Sequence, residues 1–406
     1  MATDRKGLRC HVCTGCGLCP GVTARGSLAG KIHILTDETE GAGDTAPFLS
    51  GKYVAAIDLG TTTIAMVLYD EKGQTVDRMV AVNPQVNYGA DVISRIQAAK
   101  EGAAEELRLA VFELLEQGLT KFAKKVPENC ELTAVIAGNT TETYLLLGLD
   151  TEELGHAPFY ASHLEAEEIT IAGVSCFIFP GLSAFVGGDI MAGIYAADLA
   201  EREEITLLID LGTNGELVLG NREKCIAAAT AAGPAFEGGV NRGVWGADMV
   251  SLLARLKREE LVDESGLLAE PYFDKGVRIG NVTVTQQAIR SIQTAKAAIA
   301  AGITILLEEY GITCGDIDRV ILAGGFGYYL DPKDAAEIGL LPVELVEKTY
   351  AGGNTSLRGC RKAGSASRKD VTIRCKRIFD ETKCINLAQV PAFAENYVSK
   401  MELRPI

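Results

Sequence analysis

The sequence predicts an α/β protein of two similar lobes with a short cysteine-rich segment ahead of them, and three observations carry that prediction. A strand–Asp-Leu-Gly-Thr–strand pattern, "YVAAIDLGTTTIAMVLYD" from Tyr53, returns as "TLLIDLGTNGELVLG" from Thr206, too far along the chain for a short solenoid repeat. A buried strand runs into a third glycine turn in "DRVILAGGFGYYLDP". Four cysteines crowd into "RCHVCTGCGLCPG".

Residues 1–21 hold the cysteines, and 22–51, rich in Gly, Thr, Ser and acids, reads as a linker with one short strand at Lys31–Leu35. From Lys52 strands alternate with helices. "YVAAIDLG" and "TTIAMVLYD" are two strands joined at a tight Gly turn, which is a hairpin. "AEELRLAVFELLEQGLTKFAKKV" carries apolar residues at helical spacing. "LTAVIAGNTT" is a short buried strand ending in a polar turn before the helix-like "TETYLLLGL". The second hairpin opens the second lobe, and a long amphipathic segment with apolar residues at 289, 292, 299, 303 and 306 leads to the third glycine turn. Lobe one is set at 52–200, lobe two at 201–356, and 357–406 is a helix–strand tail packed back on them.

The 406 residues, 47% of them hydrophobic, supply ample core for two or three domains. A net charge of −15 leaves no basic surplus to neutralise nucleic-acid phosphates. No apolar run has the length of a membrane span and the first residues lack a signal-peptide core, so the cytoplasm is expected. There, eleven cysteines point to metal or redox chemistry rather than disulfides. The scattered ones, such as Cys176 in "VSCFIFP", read as small buried hydrophobes.

The glycine turns have a chemical use. Gly60 and Gly212 let the backbone come close to a phosphate, while Thr61, Thr62 and Thr63 in one turn and Thr213 and Asn214 in the other offer N–H and side-chain donors. Asp58 and Asp210 at the strand ends suit Mg²⁺, a hard cation that keeps its waters and takes few carboxylates. Two such hairpins facing each other grip a triphosphate in a cleft between lobes, and Gly324, Gly325 and Gly327 suit adenine or ribose against bare backbone. ATP is the expected ligand. No Walker sequence is present, and "GGFGYY" does not fit a dinucleotide fingerprint. In "AATAAGPAFEGG" a loop leads into a helix start at Gly233 that suits a phosphate or ribose hydroxyl, with Glu237 as a ribose ligand or a surface carboxylate. Lys296, on the long helix, reads as lying along the nucleotide or as a snorkelling surface lysine.

These residues carry a resemblance. Asp58–Thr63 resembles the first phosphate motif of the acetate kinase, sugar kinase, Hsp70 and actin superfamily, Asp210–Gly215 the second, and Leu322–Gly327 the adenosine motif. "FPGLSAFVGGDIMAGIYAADL" resembles the connecting helix of those folds, which implies that Asp189 orients the attacking water; a helix-start carboxylate is the other reading. Two actin-like or Hsp70-like ATPase lobes follow as the implied fold. "AGNTTETYLLLGLD", "AATAAGPAFEGG", "ILAGGFGYYLDPKDAAEIGLLP", "GGNTSLRGCRKA" and the ending "INLAQVPAFAENYVSKMELRP" together are similar to the ATP-dependent reductive activators of corrinoid enzymes, from about Lys52 onward. The resemblance implies reduction of a partner corrinoid protein from cob(II)alamin to cob(I)alamin, driven by ATP hydrolysis.

It departs at the front, where the family commonly carries a plant-type ferredoxin domain with a 2Fe–2S cluster. Here Cys10, Cys13, Cys16 and Cys19 follow C-x₂-C-x₂-C-x₂-C-P, close to the bacterial ferredoxin run. A 4Fe–4S electron port is the first reading, with zinc and a transient thiol–disulfide segment as alternatives. Cys19 is a ligand or a spare; a fourth ligand then comes from Cys360, Cys375 or Cys384, or from a second subunit in a homodimer. The electron donor is a ferredoxin-type protein or the cysteine segment itself. The alternative functions are activation of another low-potential metalloenzyme, of the 2-hydroxyacyl-CoA dehydratase type, and a small-molecule kinase, although no sugar-pocket motif is legible.

Overall fold

The computed structural model describes residues 50–212, 214–230, 232, 246–279 and 282–406. β1 (Lys52–Leu59), β2 (Thr63–Tyr69) and β3 (Thr75–Val82) form an antiparallel meander, followed by α1 (Val92–Ala98) and α2 (Ala104–Ala123). β4 (Glu131–Gly138) leads into α3 (Thr140–Leu147), and β5 (Glu167–Ile171) and β6 (Val174–Ile178) precede α4 (Gly188–Ala196). Then the pattern restarts. β7 (Thr206–Leu211), β8 (Gly215–Gly220) and β9 (Cys225–Thr230) repeat the meander. α5 (Gly246–Arg258), the ribbon β10 (Val277–Ile279) and β11 (Val282–Val284), and α6 (Gln286–Tyr310) lead to β12 (Arg319–Ala323). Two short helices, α7 (Gly324–Gly327) and α8 (Pro332–Glu337), precede β13 (Thr349–Gly353). α9 (Thr355–Ser365), α10 (Arg368–Glu381), β14 (Thr382–Ile385) and α11 (Pro391–Ser399) follow.

The two sheets, β3-β2-β1-β4-β6-β5 and β13-β12-β7-β8-β9-β14, share a five-strand order, β3-β2-β1-β4-β6 matching β9-β8-β7-β12-β13. They differ in the sixth strand, which lies beside β6 in the first and beside β9 in the second. In each, the first hairpin strand lies between its antiparallel partner and a parallel crossover strand, β4 beside β1 and β12 beside β7. A further parallel strand, β6 or β13, stands beyond it. β1 and β7 are therefore interior strands, which need consecutive apolar residues rather than alternation. Val54 to Ile57 and Leu207 to Ile209 supply them and are wholly buried.

α6 forms where the apolar spacing predicted it. Thr285 Oγ1 accepts from the Ala288 N–H (3.2 Å) at its start, and Gly311, at φ +86°, ends it. Ile289, Ile292, Ile299, Ile303 and Leu306 are all buried in the second core. In the first core the strand residues Ile57, Ile64 and Met66 gather with Val111, Leu115, Leu119 and Phe122 of α2.

Of the described residues, 50–201 and Asn354–Cys384 make one compact unit, and Arg202–Gly353 with Ile385–Ile406 make another. The segment expected as a single tail thus divides. α9 joins the first unit because Gly359 presses onto α4, where an added Cβ would lie 2.2 Å from Ala192 O. Leu387 and Leu403 join the second core instead. Among the described residues no helix is long and apolar enough to cross a membrane.

Candidate functional site

β1 is buried from Val54 to Ile57, and Asp58 is partly exposed. Gly60 then closes the turn: its N–H donates to Thr63 O (3.1 Å), and a Cβ would lie 2.7 Å from that oxygen. Only glycine fits. The Asp58 carboxylate accepts from Asn354 Nδ2 (2.7 Å) and Ser356 Oγ (2.8 Å). Asn354 Oδ1 accepts the Leu357 N–H (2.8 Å), capping α9. Asn139 works the same way on the other side of the turn. Its Oδ1 accepts the Glu142 N–H (3.0 Å) at the start of α3, and its Nδ2 donates to Thr61 Oγ1 (2.8 Å). Each cap commits the amide oxygen to the helix, so the NH₂ must face the turn. Thr61 Oγ1 accepts from Asn139, which leaves its own hydrogen to donate elsewhere.

Asn139, Asn354 and Ser356 were not among the sequence candidates. The signal was present, because strand–Gly-Asn-Thr–helix occurs twice, at Gly138-Asn139-Thr140 and Gly353-Asn354-Thr355.

Asp189 stands in the first turn of α4, its Oδ1 accepting the Ile190 N–H (2.8 Å). Burial pushes its carboxyl up, the Ile190 N–H opposes this, and the charge of Asp58 adds to the rise. Burial also raises Asp58, against its donors Asn354 and Ser356. The structure thus brings these two predicted residues together. An enclosed, all-oxygen pair that resists double ionisation fits a hard divalent cation, whose charge favours both carboxylates.

In the second unit Ala323 of β12 pairs with Asp210, and the chain turns at Gly324 with φ +81°. A Cβ there would lie 2.4 Å from Asp210 Oδ1 and 2.5 Å from Leu211 O, so the third glycine turn sits directly on the second. Gly325 of that turn is exposed, and Gly327 is buried beside Leu211. The Gly212 N–H donates to Asn214 O (3.0 Å).

Lys296 is not the snorkelling surface lysine of one expectation. It is wholly buried, burial pushes its ammonium down to about 7, and its Nζ donates to Glu402 O, tying down the C-terminal segment. Cys10, Cys13, Cys16, Cys19, Thr213, Gly233 and Glu237 lie outside the described residues. Cys360 donates to Ile57 O (3.5 Å) and Cys384 to Leu182 O (3.6 Å). Burial raises both thiols and pushes Cys375 up to about 12, so all three favour the protonated form, which is a poor ligand. Among the described residues no group of three or more His, Cys, Asp or Glu is placed to hold a metal ion.

Two sheets with a shared five-strand order, each carrying an Asp-Leu-Gly turn, with a glycine turn on the second, define an ASKHA-type fold. A model of the RACo middle region matches residues 53–202, and one of the C-terminal domain of RACo, the ASKHA domain, matches 204–247 and 240–405. The chain is 31% identical to the corrinoid activation enzyme RamQ of Eubacterium limosum, over 85% of this chain and 69% of that protein. It is 22% identical to a Co(II) methylated amine-specific corrinoid protein reductase of Methanosarcina barkeri, over 76% of this chain and 69% of the other. A solved structure of a reductive activator for corrinoid, iron-sulfur protein superposes with a TM-score of 0.77 at 31% identity, covering 88% of this chain and 67% of that one. The chain belongs to the RACo family of reductive activators of corrinoid proteins.

Proposed function

We propose that this chain reduces a partner corrinoid protein from cob(II)alamin to cob(I)alamin, one electron per cobalt, and that hydrolysis of ATP to ADP and phosphate drives the step. The observation that carries this reading is that both stretches of the chain match RACo regions while each unit keeps its Asp-Leu-Gly turn. In the first unit the turn from Gly60 to Thr63, with the Thr61 hydroxyl freed to donate, is the phosphate-binding element; in the second unit the turn at Gly212 and Asn214 is, with Gly324 to Gly327 suited to adenosine. In the first unit Asp58 and Asp189 are the carboxylates that would hold Mg²⁺, which supplies charge neutralisation at the phosphates, and Asp210 is the corresponding carboxylate of the second unit. Asp189 also orients the water.

Cys10, Cys13, Cys16 and Cys19 would hold an iron–sulfur cluster, whose chemistry is one-electron relay from a ferredoxin-type donor. Each ~59 mV uphill lowers a one-electron equilibrium tenfold. ATP can therefore help only through different affinities for two conformations of the activator. The cytoplasm is the compartment this chemistry assumes.

The test is anaerobic. The purified chain, a low-potential reductant and a cob(II)alamin-loaded corrinoid protein are mixed with and without ATP, and the cob(I)alamin spectrum is followed alongside ADP release. ATP-dependent cob(I)alamin is expected. ADP release that instead needs a small-molecule acceptor points to a kinase. Near-stoichiometric zinc without iron ends the electron-port role of the cysteines.

A further inference from the structure

Behind the first turn lies a set of enclosed polar side chains that no step above uses. Three consecutive carbonyls of the turn are each engaged. Gly60 O accepts from Asn83 Nδ2 (2.9 Å), Thr61 O from Arg95 Nη2 (2.6 Å), and Thr62 O from the Asn83 backbone N–H (2.9 Å). Arg95, on α1, is wholly buried, and so is Asn83, just after β3. The guanidinium also donates to Gly89 O (3.1 Å), Gln85 Oε1 (3.1 Å) and Glu142 Oε1 (2.6 Å). Glu142 closes the set: its Oε2 accepts from Asn83 Nδ2 (3.1 Å), and it sits on α3, whose cap Asn139 holds Thr61 Oγ1. Asn83 Oδ1 is fixed by the Gln85 N–H (3.0 Å), so its amide cannot turn round.

A buried ion pair is a poor device for stability alone, since apolar residues of equal volume often do as well. Its geometry here has a directional consequence. The peptides of the turn are trans, the cis bonds among the described residues being Ala157–Pro158 and Glu270–Pro271. In a trans peptide C=O and N–H point opposite ways. Holding the carbonyls of Gly60, Thr61 and Thr62 from behind therefore turns the N–H groups of Thr61, Thr62 and Thr63 to the opposite side.

We propose that Asn83, Arg95 and Glu142 are positioning residues that hold the Gly60–Thr62 turn in its phosphate-binding form before a nucleoside triphosphate arrives. They touch the back of the turn, not the ligand. This rests on the nucleotide reading above and adds to it which residues preset the site. Donors fixed in advance need no reorganisation on binding.

The test uses the full chain and measures ATP affinity, KM and kcat for ATP hydrolysis, and thermal unfolding in parallel. Arg95→Lys keeps the charge but cannot reach Thr61 O, Gly89 O and Gln85 together, and Glu142→Gln sets an amide NH₂ against that of Asn83. Each is expected to raise Kd and KM for ATP roughly 10- to 100-fold, the scale of a misplacement near 1 Å, with a smaller change in kcat. The double variant Asn83→Asp with Glu142→Gln exchanges the carboxylate and amide of the Asn83–Glu142 contact. The new carboxylate at position 83 can accept from the new NH₂ at position 142, whose amide oxygen accepts from Arg95, but Gly60 O is left without its donor. It should recover thermal stability over Glu142→Gln while ATP affinity stays low. Affinity that recovers together with stability, or folded single variants that bind ATP like the wild type, overturns the positioning role. If Arg95→Lys does not fold, the Glu142→Gln and double variants decide the matter. A wild-type chain that binds no ATP defeats the nucleotide reading itself, a different result from variants that unfold early yet bind normally.

Discussion

Asp58 and Asp210 stand near the ends of corresponding strands of the two sheets, yet side chains from distant elements hold the first while the backbone at Gly324 closes on the second. Around Asp58, Asn354 and Ser356 hold the carboxylate, while Asn83, Arg95 and Asn139 hold the turn that follows. Beside Asp210, Gly324 brings the chain in so close that no side chain fits between. One local sequence can thus be stiffened by long-range polar contacts or by close backbone approach. The first way leaves hydrogen-bonding groups that can be exchanged singly, and the second concentrates the requirement in one glycine.

The largest effect should come from breaking the second arrangement. Gly324→Ala combines a left-handed backbone with a Cβ 2.4 Å from Asp210 Oδ1. It is expected to cost about 2–5 kcal/mol, adding backbone strain to overpacking. Urea unfolding reads the loss, together with abolished ATP binding.

In the first unit, Ser356→Ala removes one of two donors to Asp58 and should cost about 1.5–3 kcal/mol, the range for a hydrogen bond to a charged group. Asn354 keeps its own donation to the carboxylate, so the variant should fold with weakened ATP turnover. Unchanged turnover would show that the brace of Asp58 is structural only.

pH sharpens the contrast further. Glu142 is pushed up to about 7 from an ordinary 4.5, chiefly by burial, so its contribution to stability is full below pH 4.5 and is lost as pH rises to about 7. Lys296 is pushed down to about 7 from 10.5, so its contribution is full above pH 10.5 and is lost as pH falls to about 7. The first unit therefore loses stability on the acid side of 7 and the second gains it on the alkaline side, by at most about 1.4 kcal/mol per pH unit for each group. Thermal unfolding from pH 5 to 9 should show Glu142→Gln flattening the acid limb and Lys296→Met the alkaline limb.

The smallest change in stability belongs to Gly212→Ala, whose Cβ would meet nothing within 4 Å among the described residues. Stability should stay level or rise by up to about 1 kcal/mol. ATP affinity should fall, since the open space in front of Gly212 is where phosphate is placed. Unaltered affinity would remove the second turn from the site.

What the sequence made legible was whatever repeats locally. Both hairpins, the buried strand into Gly324, and α6 with its buried Ile289, Ile292, Ile299, Ile303 and Leu306 follow from residue spacing. The pairing of Asp58 with Asn354 and Ser356 does not, because they lie about 300 residues away and the repeated Gly-Asn-Thr marks two helix starts without saying which carboxylate each one faces. Lys296 was misplaced for a related reason: its helix is apolar nearly all round, so a lysine there is enclosed instead of snorkelling. The divided tail escaped notice because α9 and α11 are both amphipathic, and the pattern of one helix does not name the core it joins.

The bond between Asn354 and Asp58 also sets a schedule for how the protein is made. It spans 296 positions, so the strand carrying Asp58 emerges long before the residue that holds it. At roughly 5–20 residues per second, synthesis leaves about 15–60 s between the two. During that interval β1, β2 and β4 can pair, but α9 does not yet exist to cover them. A nascent chain that stops before Asn354 therefore carries an unfinished first unit, in which Asp58 still lacks its Asn354 and Ser356 donors.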